Sequence, residues 1–300
     1  MIAAKNFTKM FDRKCAVDSL NLTIEKGKIY GLVGTNGSGK STFLRTVSGV
    51  YYPDGGSVTI DGEDSYENVS AKQKVFFVSD DMYFMPNSSI DDVAKLYKAV
   101  YQSFSQAKYD ELTEKFPIDK KAKVKNFSKG MKRQAAIIIA LSCQPEYLLL
   151  DEAFDGLDPV IRVAVRKLIA EEVIERDMTV IISSHNLREM EDFCDMVGIL
   201  HKGKLIMQQD IESISASYCK AQVVVDKNTD TIDNIDDKRI ISVKKSGSIY
   251  TVICAMSCDE AEKFLGGFNP VFMDYIPLTL EEVFVYEMGA IGYDTNNILF

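Results

Sequence analysis

The segment best suited to chemistry is a glycine-rich loop that begins at residue 34. It reads Gly-Thr-Asn-Gly-Ser-Gly-Lys-Ser and matches the pattern G-x(4)-G-K-[ST]. Glycines let backbone N–H groups turn towards a phosphate, and the start of a following helix adds a favourable dipole. We expect the Lys40 ammonium group to reach the β- and γ-phosphates of a nucleotide and the Ser41 hydroxyl to ligate Mg²⁺. The predicted nucleotide-binding residues of this loop are Gly34, Thr35, Asn36, Gly37, Ser38, Gly39, Lys40, Ser41 and Thr42, with Thr42 near the α-phosphate.

Two acidic residues follow a short apolar run at 147–150. A strand that ends in Asp151 can place this carboxylate in the second coordination shell of Mg²⁺, opposite Ser41. The next residue, Glu152, would then face the γ-phosphate, where its carboxylate can polarise or deprotonate an attacking water. The pair therefore predicts hydrolysis of the nucleotide.

The elements that must position these residues have the pattern of an α/β protein. Segment 28–33 is apolar on both faces, as in a sheet covered on both sides, and leads into the glycine-rich loop. A helical run at 41–50 follows the loop, which is the context that a phosphate-binding loop requires. Apolar residues recur at helical spacing within 86–116 and predict a mostly helical insertion. The strands predicted before residue 210 are 20–24, 28–33, 58–60, 75–80, 148–150 and 178–183.

The pattern changes near residue 210 and predicts a small α+β module. Ser257 with Glu260 and Thr279 with Glu282 form two capping-box patterns, each of which predicts the start of a helix. Gly289 fits the position just after the second helix, and the tail beyond it is expected to be loosely ordered. The strands predicted in this module are 221–225, 240–243, 250–254 and 271–276, with a hairpin turn at 246–247.

Several motifs resemble those of ATP-binding-cassette (ABC) ATPases, in the order of that family. Residues 127–131 resemble the signature motif usually written LSGGQ, and residues 147–152 the Walker B motif. Residues 156–158 resemble the D-loop and residues 184–185 the H-loop. The resemblance implies a P-loop NTPase cassette over residues 1–210, with a β-rich N-terminal subdomain and a helical subdomain at about 86–145. The predicted second domain, residues 211–300, is a small C-terminal α+β accessory domain.

The resemblance also implies roles for residues outside the glycine-rich loop. His185 contacts the γ-phosphate in this family, whereas Ser128 and Gly130 face the γ-phosphate bound to the opposite subunit. Ser128 is also a good N-cap for a helix at 129–142. Asp158 belongs to the loop that links two composite sites, so the resemblance implies a head-to-tail homodimer or related heterodimer. An aromatic ring that stacks on adenine precedes the loop in the family, and Phe11 fits this role best, with Phe7 as the second candidate.

The chain departs from the family pattern at a few positions. Asp80 stands where the family has the Q-loop glutamine. Its carboxylate could still approach Mg²⁺ or its waters, and we predict Asp80 as a metal-site residue together with Ser41 and Asp151. Lys129 and Met131 replace a glycine and the glutamine of LSGGQ. None of these changes removes a catalytic group, so we predict a working ATPase with Glu152, His185 and Lys40 as catalytic residues.

Composition narrows the function classes. The chain has 300 residues, 35 Lys and Arg against 44 Asp and Glu, and a net charge of −9. This acidic balance argues against nucleic acid as a partner. The longest apolar run, near 135–141, is far shorter than the roughly 20 residues of a membrane-spanning helix. The six cysteines have no framework spacing and predict reduced thiols, a zinc site at Cys254 and Cys258 being disfavoured, and His201 is interpreted as a surface turn residue.

The resemblance, together with the lack of a membrane-spanning run, implies the ATP-hydrolysing subunit of an ABC transporter. Permease subunits on separate chains would hold it at the inner face of the cell membrane. The signature and the ending PLTLEEVF at 277–284 resemble exporters of the ABC-2-like drug and antibiotic branch. An apolar cluster at 82–86 is either ordinary core or part of a groove for a permease helix. The alternative is a soluble ABC-type ATPase without a transport role. A scaffold that binds ATP without hydrolysis is disfavoured by Glu152 and His185.

Overall fold

A six-stranded sheet carries the glycine-rich loop and the acidic pair Asp151 and Glu152. The computed structural model describes residues 1–225, 232, 235, 237–276 and 278–290. Within these residues the chain forms two units, one of Met1–Asn186 with Phe193–Gln208 and one of Leu187–Asp192 with the described residues from Gln209 onward. The first ten described strands are β1 (Ile2–Phe11), β2 (Lys14–Ile24), β3 (Ile29–Val33), β4 (Gly55–Ile60), β5 (Glu63–Asp64), β6 (Val75–Val78), β7 (Tyr147–Asp151), β8 (Thr179–Ser184), β9 (Met196–His201) and β10 (Lys204–Asp210).

The larger unit contains two sheets. The six-stranded sheet has the order β10-β9-β3-β8-β7-β6, and the four-stranded sheet has the order β2-β1-β4-β5. Strand β3 pairs in parallel with β8 and β9, and β7 pairs in parallel with β6 and β8. Parallel strands end at the same edge of a sheet, which is where ligands bind in open α/β folds. Gly34, Asp80, Glu152 and His185 each follow one of these strands by one or two residues, so the topology brings them to one edge.

Helices complete this unit and agree closely with the sequence pattern. The predicted helix at 129–142 is confirmed at those bounds, with the Ser128 hydroxyl accepting a hydrogen bond from the Met131 N–H. The helical insertion predicted within 86–116 is confirmed as two helices. The helices of this unit are α1 (Lys40–Val47), α2 (Val69–Lys74), α3 (Ile90–Val100), α4 (Gln106–Lys115), α5 (Lys129–Ser142) and α6 (Pro159–Arg176), with a 3₁₀ turn at Val124–Asn126. The next helix, α7 (Leu187–Glu191), belongs to the smaller unit.

The smaller unit contains a four-stranded sheet. Its other described elements are α8 (Ile211–Ser217), β11 (Cys219–Val224), β12 (Ile240–Ser246), β13 (Ile249–Cys254), α9 (Cys258–Gly266), β14 (Phe272–Ile276) and α10 (Leu280–Ala290), with strand order β12-β13-β11-β14. Both capping boxes are confirmed, because Ser257 with Glu260 and Thr279 with Glu282 exchange reciprocal hydrogen bonds. Alternate residues of β11 and β13 point into its core, which includes Cys219, Val252 and Leu265.

Two sequence predictions are wrong. Gly289 lies inside α10 and does not end it. His201 is the last residue of β9 and is only 8% exposed, so it is not a surface turn residue. Burial lowers the pKa of its imidazole, with a further contribution from Lys202. The tail predicted after Gly289 lies, beyond Ala290, outside the described residues, and the domain boundary at residue 210 stays a prediction.

Candidate functional site

A cavity of about 520 Å³ opens at the end of β3, where the glycine-rich loop begins. Asp80, Glu152 and Phe11 reach it from other elements, as the sequence analysis expected. Lys14 and Ala16, on β2, also face it and were not predicted. The lining consists of Phe11, Lys14, Ala16, Asn36, Gly37, Ser38, Gly39, Lys40, Ser41, Thr42, Asp80 and Glu152.

The backbone of the loop requires glycine at two positions. A Cβ atom on Gly34 would lie 2.3 Å from the Leu200 carbonyl oxygen and 2.5 Å from the Ser38 hydroxyl oxygen, which is too close for any side chain. Gly39 has a φ of 110°, in the region that favours glycine, and caps the start of α1. The loop therefore passes directly into the N-terminus of α1, where N–H groups favour an anion.

Lys40 is buried within this loop. Its ammonium group is 2.6 Å from the Gly34 carbonyl oxygen, to which it donates, and 3.8 Å from the Glu152 carboxylate. Burial lowers the pKa of Lys40, while the carboxylates of Glu152 and Asp151 oppose that shift. A bound polyphosphate would add further negative charge beside this ammonium group and stabilise its protonated form.

Asp151 is 1% exposed and is held by two hydroxyl groups. Ser41 donates to its Oδ1 atom across 3.0 Å, and Ser183 donates to the same atom across 2.5 Å. The parallel register of β7 and β8 pairs Asp151 with Ser183 and thus explains the second contact. Ser183 was not predicted, although it stands two residues before His185 in the strand that the sequence identified.

Glu152 is held in an unusual backbone conformation beside His185. Its φ is 49°, which costs of order 1–3 kcal/mol for a residue other than glycine. Its N–H donates to the Ser183 hydroxyl oxygen across 3.1 Å, and its carboxylate Oε2 lies 3.0 Å from His185 Nδ1. The same strand neighbour therefore fixes both Asp151 and Glu152. Asp155 joins this group, since one ligand atom each from Glu152, Asp155 and His185 lie within 4.8 Å of one another.

Asp80 lines the cavity, but its carboxylate already has cationic partners. Arg133 Nη2 on α5 donates to Asp80 Oδ1 across 2.5 Å, and Lys129 Nζ lies 3.7 Å from the same oxygen. The Arg133 side chain is 1% exposed, whereas the Asp80 side chain is 51% exposed. Arg133 is not among the residues predicted from the sequence. The one signal for it is Asp80 itself, a charged residue where the family has a neutral glutamine.

Phe11 presents its ring to the cavity, and the alternative Phe7 does not. Phe11 is 40% exposed and meets the ring of Tyr51 edge-on, with 5.2 Å between centroids. Phe7 is fully buried and packs in the core beside Phe43. The geometry therefore favours Phe11 as the ring that contacts a base.

Seven predicted site residues, all of them among the described residues, do not line the cavity. Four of these adjoin it, since Gly34 and Thr35 belong to the glycine-rich loop and Asp151 and His185 contact Ser41 and Glu152.

The other three predicted residues lie elsewhere. Among the residues that the structure describes, the cavity lining does not include Ser128, Gly130 or Asp158. Asp158 caps α6 by accepting hydrogen bonds from the N–H groups of Val160 and Ile161. A Cβ atom on Gly130 would lie 2.6 Å from the Gly156 carbonyl oxygen, so the start of α5 abuts the loop at 156–158. Their predicted contact with a nucleotide on a second subunit stays a prediction.

The fold and the motifs define the class of the protein, and comparison with known proteins agrees. The sequence profile of the family "ABC transporter" matches residues 17–155. The chain is 31% identical to the "ABC transporter ATP-binding protein YtrB" of Bacillus subtilis (strain 168), over 97% of this chain and 99% of that protein. The chain belongs to the ABC transporter ATP-binding proteins.

A second relative and two solved structures extend this match. The "Bacitracin transport ATP-binding protein BcrA" of Bacillus licheniformis is 34% identical over 69% of this chain and 68% of that protein. The "Structure of ATP binding subunit of ABC transporter" superposes with a TM-score of 0.66 at 23% identity, over 71% of this chain and 91% of that chain. The "Dimeric structure of a post-hydrolysis state of the ATP-binding cassette MJ0796 bound to ADP and Pi" superposes with a TM-score of 0.62 at 22% identity, over 70% of this chain and 99% of that chain.

The predicted fold class and the predicted function as an ATP-hydrolysing transporter subunit are confirmed by these matches. The two structures, at below 25% identity, support the cassette fold alone. No helix among the described residues is both long enough and apolar enough to cross a membrane.

Proposed function

We propose that this subunit binds ATP with Mg²⁺ in the cavity at the end of β3 and hydrolyses it there, with Glu152 as the general base. The observation that carries the proposal is the position of Glu152. Its carboxylate lies at the cavity, 3.8 Å from the ammonium group of Lys40 and 3.0 Å from His185 Nδ1. A phosphate contacted by Lys40 would thus stand next to both groups.

Ser41, which lines the cavity, and its hydrogen-bond partner Asp151 fit Mg²⁺. The Ser41 hydroxyl and the buried Asp151 carboxylate offer hard oxygen donors 3.0 Å apart, which are the ligands that Mg²⁺ prefers. Ser41 would bind the ion directly and Asp151 through its shell of water, while Ser183 orients Asp151. When bound, the ion neutralises charge on the β- and γ-phosphates.

The chemistry follows from these positions. The Glu152 carboxylate accepts a proton from a water molecule as the water oxygen bonds to the γ-phosphorus. The bond from that phosphorus to the bridging oxygen breaks, and its electron pair stays on ADP. Lys40 and the loop N–H groups stabilise the charge of the phosphoryl oxygens. His185 hydrogen-bonds Glu152 and holds it towards the water, and the Phe11 ring stacks on the adenine.

We further propose that the active unit is a head-to-tail pair of ATP-binding subunits. Ser128 and Lys129 are exposed at the start of α5, where N–H groups can receive a phosphate bound to the second subunit. Asp158 follows the loop that abuts this helix start, so it can link the two sites. The MJ0796 cassette, which has a similar fold, forms a dimer in its solved structure, and this motivates the proposal.

The work of this pair is proposed to be export through permease subunits on separate chains, which hold the pair at the inner face of the membrane. Relatives named for transport of bacitracin and of a lantibiotic favour an antibiotic as the exported solute. Closure of the pair on ATP and its reopening after hydrolysis would shift the permease between states.

The test is Glu152→Gln, which keeps the shape of the side chain and removes the base. We expect hydrolysis to fall by about 100-fold or more, because a positioned general base contributes at least that factor. ATP binding should persist, and the mass in solution should double with ATP and Mg²⁺. Glu175→Gln, at an exposed position of α6, is the control and should leave both readouts unchanged. Unchanged turnover in Glu152→Gln contradicts the assignment of the base.

The transport role is tested by purification from membranes. A tagged subunit should retain a protein with several membrane-spanning helices, and ATP hydrolysis should rise when that complex is placed in lipid. Repeated purification without such a protein would favour the soluble ATPase.

A further inference from the structure

Arg133 is the largest fully buried side chain among the described residues and carries a full positive charge. Its Nη2 atom donates to Asp80 Oδ1, but its Nε and Nη1 atoms are buried without a hydrogen-bond partner among the described residues. Removing a guanidinium group from water is costly, and an opposite charge is needed to offset that cost. Asp80 supplies this charge from outside the helix that carries Arg133.

Asp80 stands on the wall of the nucleotide cavity, two residues after β6. Both of its cationic partners, Arg133 and Lys129, belong to α5 and contact the same oxygen, Oδ1. The ion pair therefore ties the cavity wall to the helix that begins at the signature motif. A movement of the carboxylate that withdrew Oδ1 from α5 would leave the buried Arg133 charge unpaired.

Arg133 also borders the loop that follows Glu152. A Cβ atom on Gly156 would lie 3.5 Å from Arg133 Nη1, one of the two nitrogens without a partner. The backbone at Gly156 is in turn the part of the chain that abuts Gly130. The guanidinium group thus stands between Asp80, its own helix and the loop that leads from Glu152 to Asp158.

We propose that Asp80 is a positioning residue that acts through Arg133 and not a ligand of the metal ion. The ion pair fixes α5 and the loop at 153–158 relative to the nucleotide cavity, so that the signature motif and Glu152 keep their places together. This inference rests on the proposed hydrolysis of ATP by Glu152. It revises the sequence prediction that placed Asp80 with Ser41 and Asp151 at the metal.

A double-mutant cycle tests the proposal. Asp80→Asn and Arg133→Gln should each lower kcat about tenfold or more, because misplacement of catalytic groups by about 1 Å has effects of that order. The double variant should be no slower than the slower single variant, since both changes remove one interaction. The Mg²⁺ concentration for half-maximal activity and the KM for ATP should stay within about twofold of those of the unmodified protein. Asp81→Asn, beside Asp80 and exposed, is the matched control.

A second pair of variants keeps the positive charge at position 133 and the negative charge at position 80. These variants leave no buried charge without an opposite charge, so a loss of activity in them does not simply report misfolding. Arg133→Lys and Asp80→Glu should each lower kcat, whereas the combination, in which one side chain is shorter and the other longer, should recover it. A rise of about tenfold in the Mg²⁺ requirement of Asp80→Asn, present also in the Arg133→Gln background, would show a metal ligand and overturn the proposal. Additive losses would overturn it as well. The unmodified protein and Glu152→Gln are measured alongside. If the unmodified protein does not hydrolyse ATP, the proposed function fails, and this result is distinct from a failure of the present inference.

Discussion

Ser183 shows how much of the site depends on one small residue. Its hydroxyl group donates to Asp151 across 2.5 Å and accepts the N–H of Glu152 across 3.1 Å. The second contact helps to hold Glu152 at a φ of 49°. This backbone conformation is unfavourable for glutamate and persists only where neighbouring contacts stabilise it. One hydroxyl group thus links Asp151, the proposed metal-site residue, with Glu152, the proposed general base.

Ser183→Ala should therefore impair activity without direct loss of a catalytic group. We expect the Mg²⁺ concentration for half-maximal hydrolysis to rise about tenfold, because groups that orient metal-site residues contribute that much. The measurement is ATP hydrolysis over a Mg²⁺ titration. Ser184→Ala is the control, since the Ser184 hydroxyl group accepts a hydrogen bond from the Asn186 N–H and, within the described part of the chain, has no hydrogen bond to either carboxylate. Equal Mg²⁺ dependence in both variants would contradict this role for Ser183.

Phe11 gives a second prediction at this scale. Phe11→Ala should raise the KM for ATP about tenfold with little change in kcat, because stacking of a base on an aromatic ring contributes roughly 1–3 kcal/mol. Phe11→Tyr keeps a ring at the position and should retain the affinity. A KM that does not differ between these two variants would place the adenine elsewhere.

At the scale of elements, the edge where parallel strands end explains why distant motifs meet. Strand β3 leads into the glycine-rich loop, β7 ends at Asp151 and β8 precedes His185. Strand β9 contributes through packing, because the absence of a side chain at Gly198 leaves room for the buried Tyr30 side chain of β3. A Cβ atom on Gly198 would lie 2.0 Å from the Tyr30 hydroxyl oxygen. The spacing of these two strands therefore depends on a missing side chain.

Gly198→Ala should lower the free energy of unfolding by about 1–3 kcal/mol, as expected for an overfilled core. Thermal unfolding monitored by circular dichroism measures the effect. The double variant Gly198→Ala with Tyr30→Phe removes the clashing hydroxyl group and should recover part of the loss. Failure of the second change to recover stability would show that the hydroxyl group is not the main source of strain, since the Tyr30 ring atoms Cζ and Cε1 would still lie 2.9 Å and 3.2 Å from the added Cβ atom.

The elements also show where the sequence was sufficient. Helix α5 was predicted at its bounds because an N-cap serine and an apolar run mark it locally. Strands β1, β9 and β10 were not predicted, and His201 was interpreted as a surface turn residue because it lacks the motif context of His185. The partners that bury β9 come from elsewhere in the chain and leave no local periodicity. The same reason explains Arg133 and Ser183, whose contacts with Asp80 and Asp151 join separate elements.

At the scale of the molecule, a net charge of −9 must be reconciled with a nucleotide that is itself an anion. The cavity resolves this locally with loop N–H groups and with the ammonium groups of Lys40 and Lys14. Away from the cavity, the Asp61 carboxylate is surrounded by several hydrogen-bond donors and cations. Asp61 accepts from the Tyr147 hydroxyl group across 2.6 Å and lies 3.1 Å from Lys74 and 3.3 Å from Lys26.

This cluster predicts a pH dependence of stability. Burial alone would raise the pKa of the Asp61 carboxyl group, but the Met1 amino group, Tyr147, Lys74 and Lys26 together hold it well below its usual range. A carboxyl group with a lowered pKa stabilises the fold above its unfolded pKa of about 3.9, and that contribution is lost as the pH falls.

Asp61→Asn should therefore lower the free energy of unfolding at pH 7 by roughly 1–2 kcal/mol, the order of hydrogen bonds to a charged group. The difference from the unmodified protein should shrink as the pH falls below about 4. Urea unfolding at both pH values measures it, with Asp64→Asn on the exposed β5 as the control. A difference that does not change with pH would assign the effect to packing.

The close approach of Gly130 to the Gly156 carbonyl oxygen bears on how mutational tolerance is interpreted in this protein. A library selected only for a folded chain would already lose every substitution at position 130, because a Cβ atom there would lie 2.6 Å from that oxygen. The loss of variants at position 130 from such a library is therefore not evidence that Gly130 contacts ATP. Ser128 and Lys129 beside it are exposed, so depletion there that arises only when transport is selected would identify the surface that meets the second nucleotide.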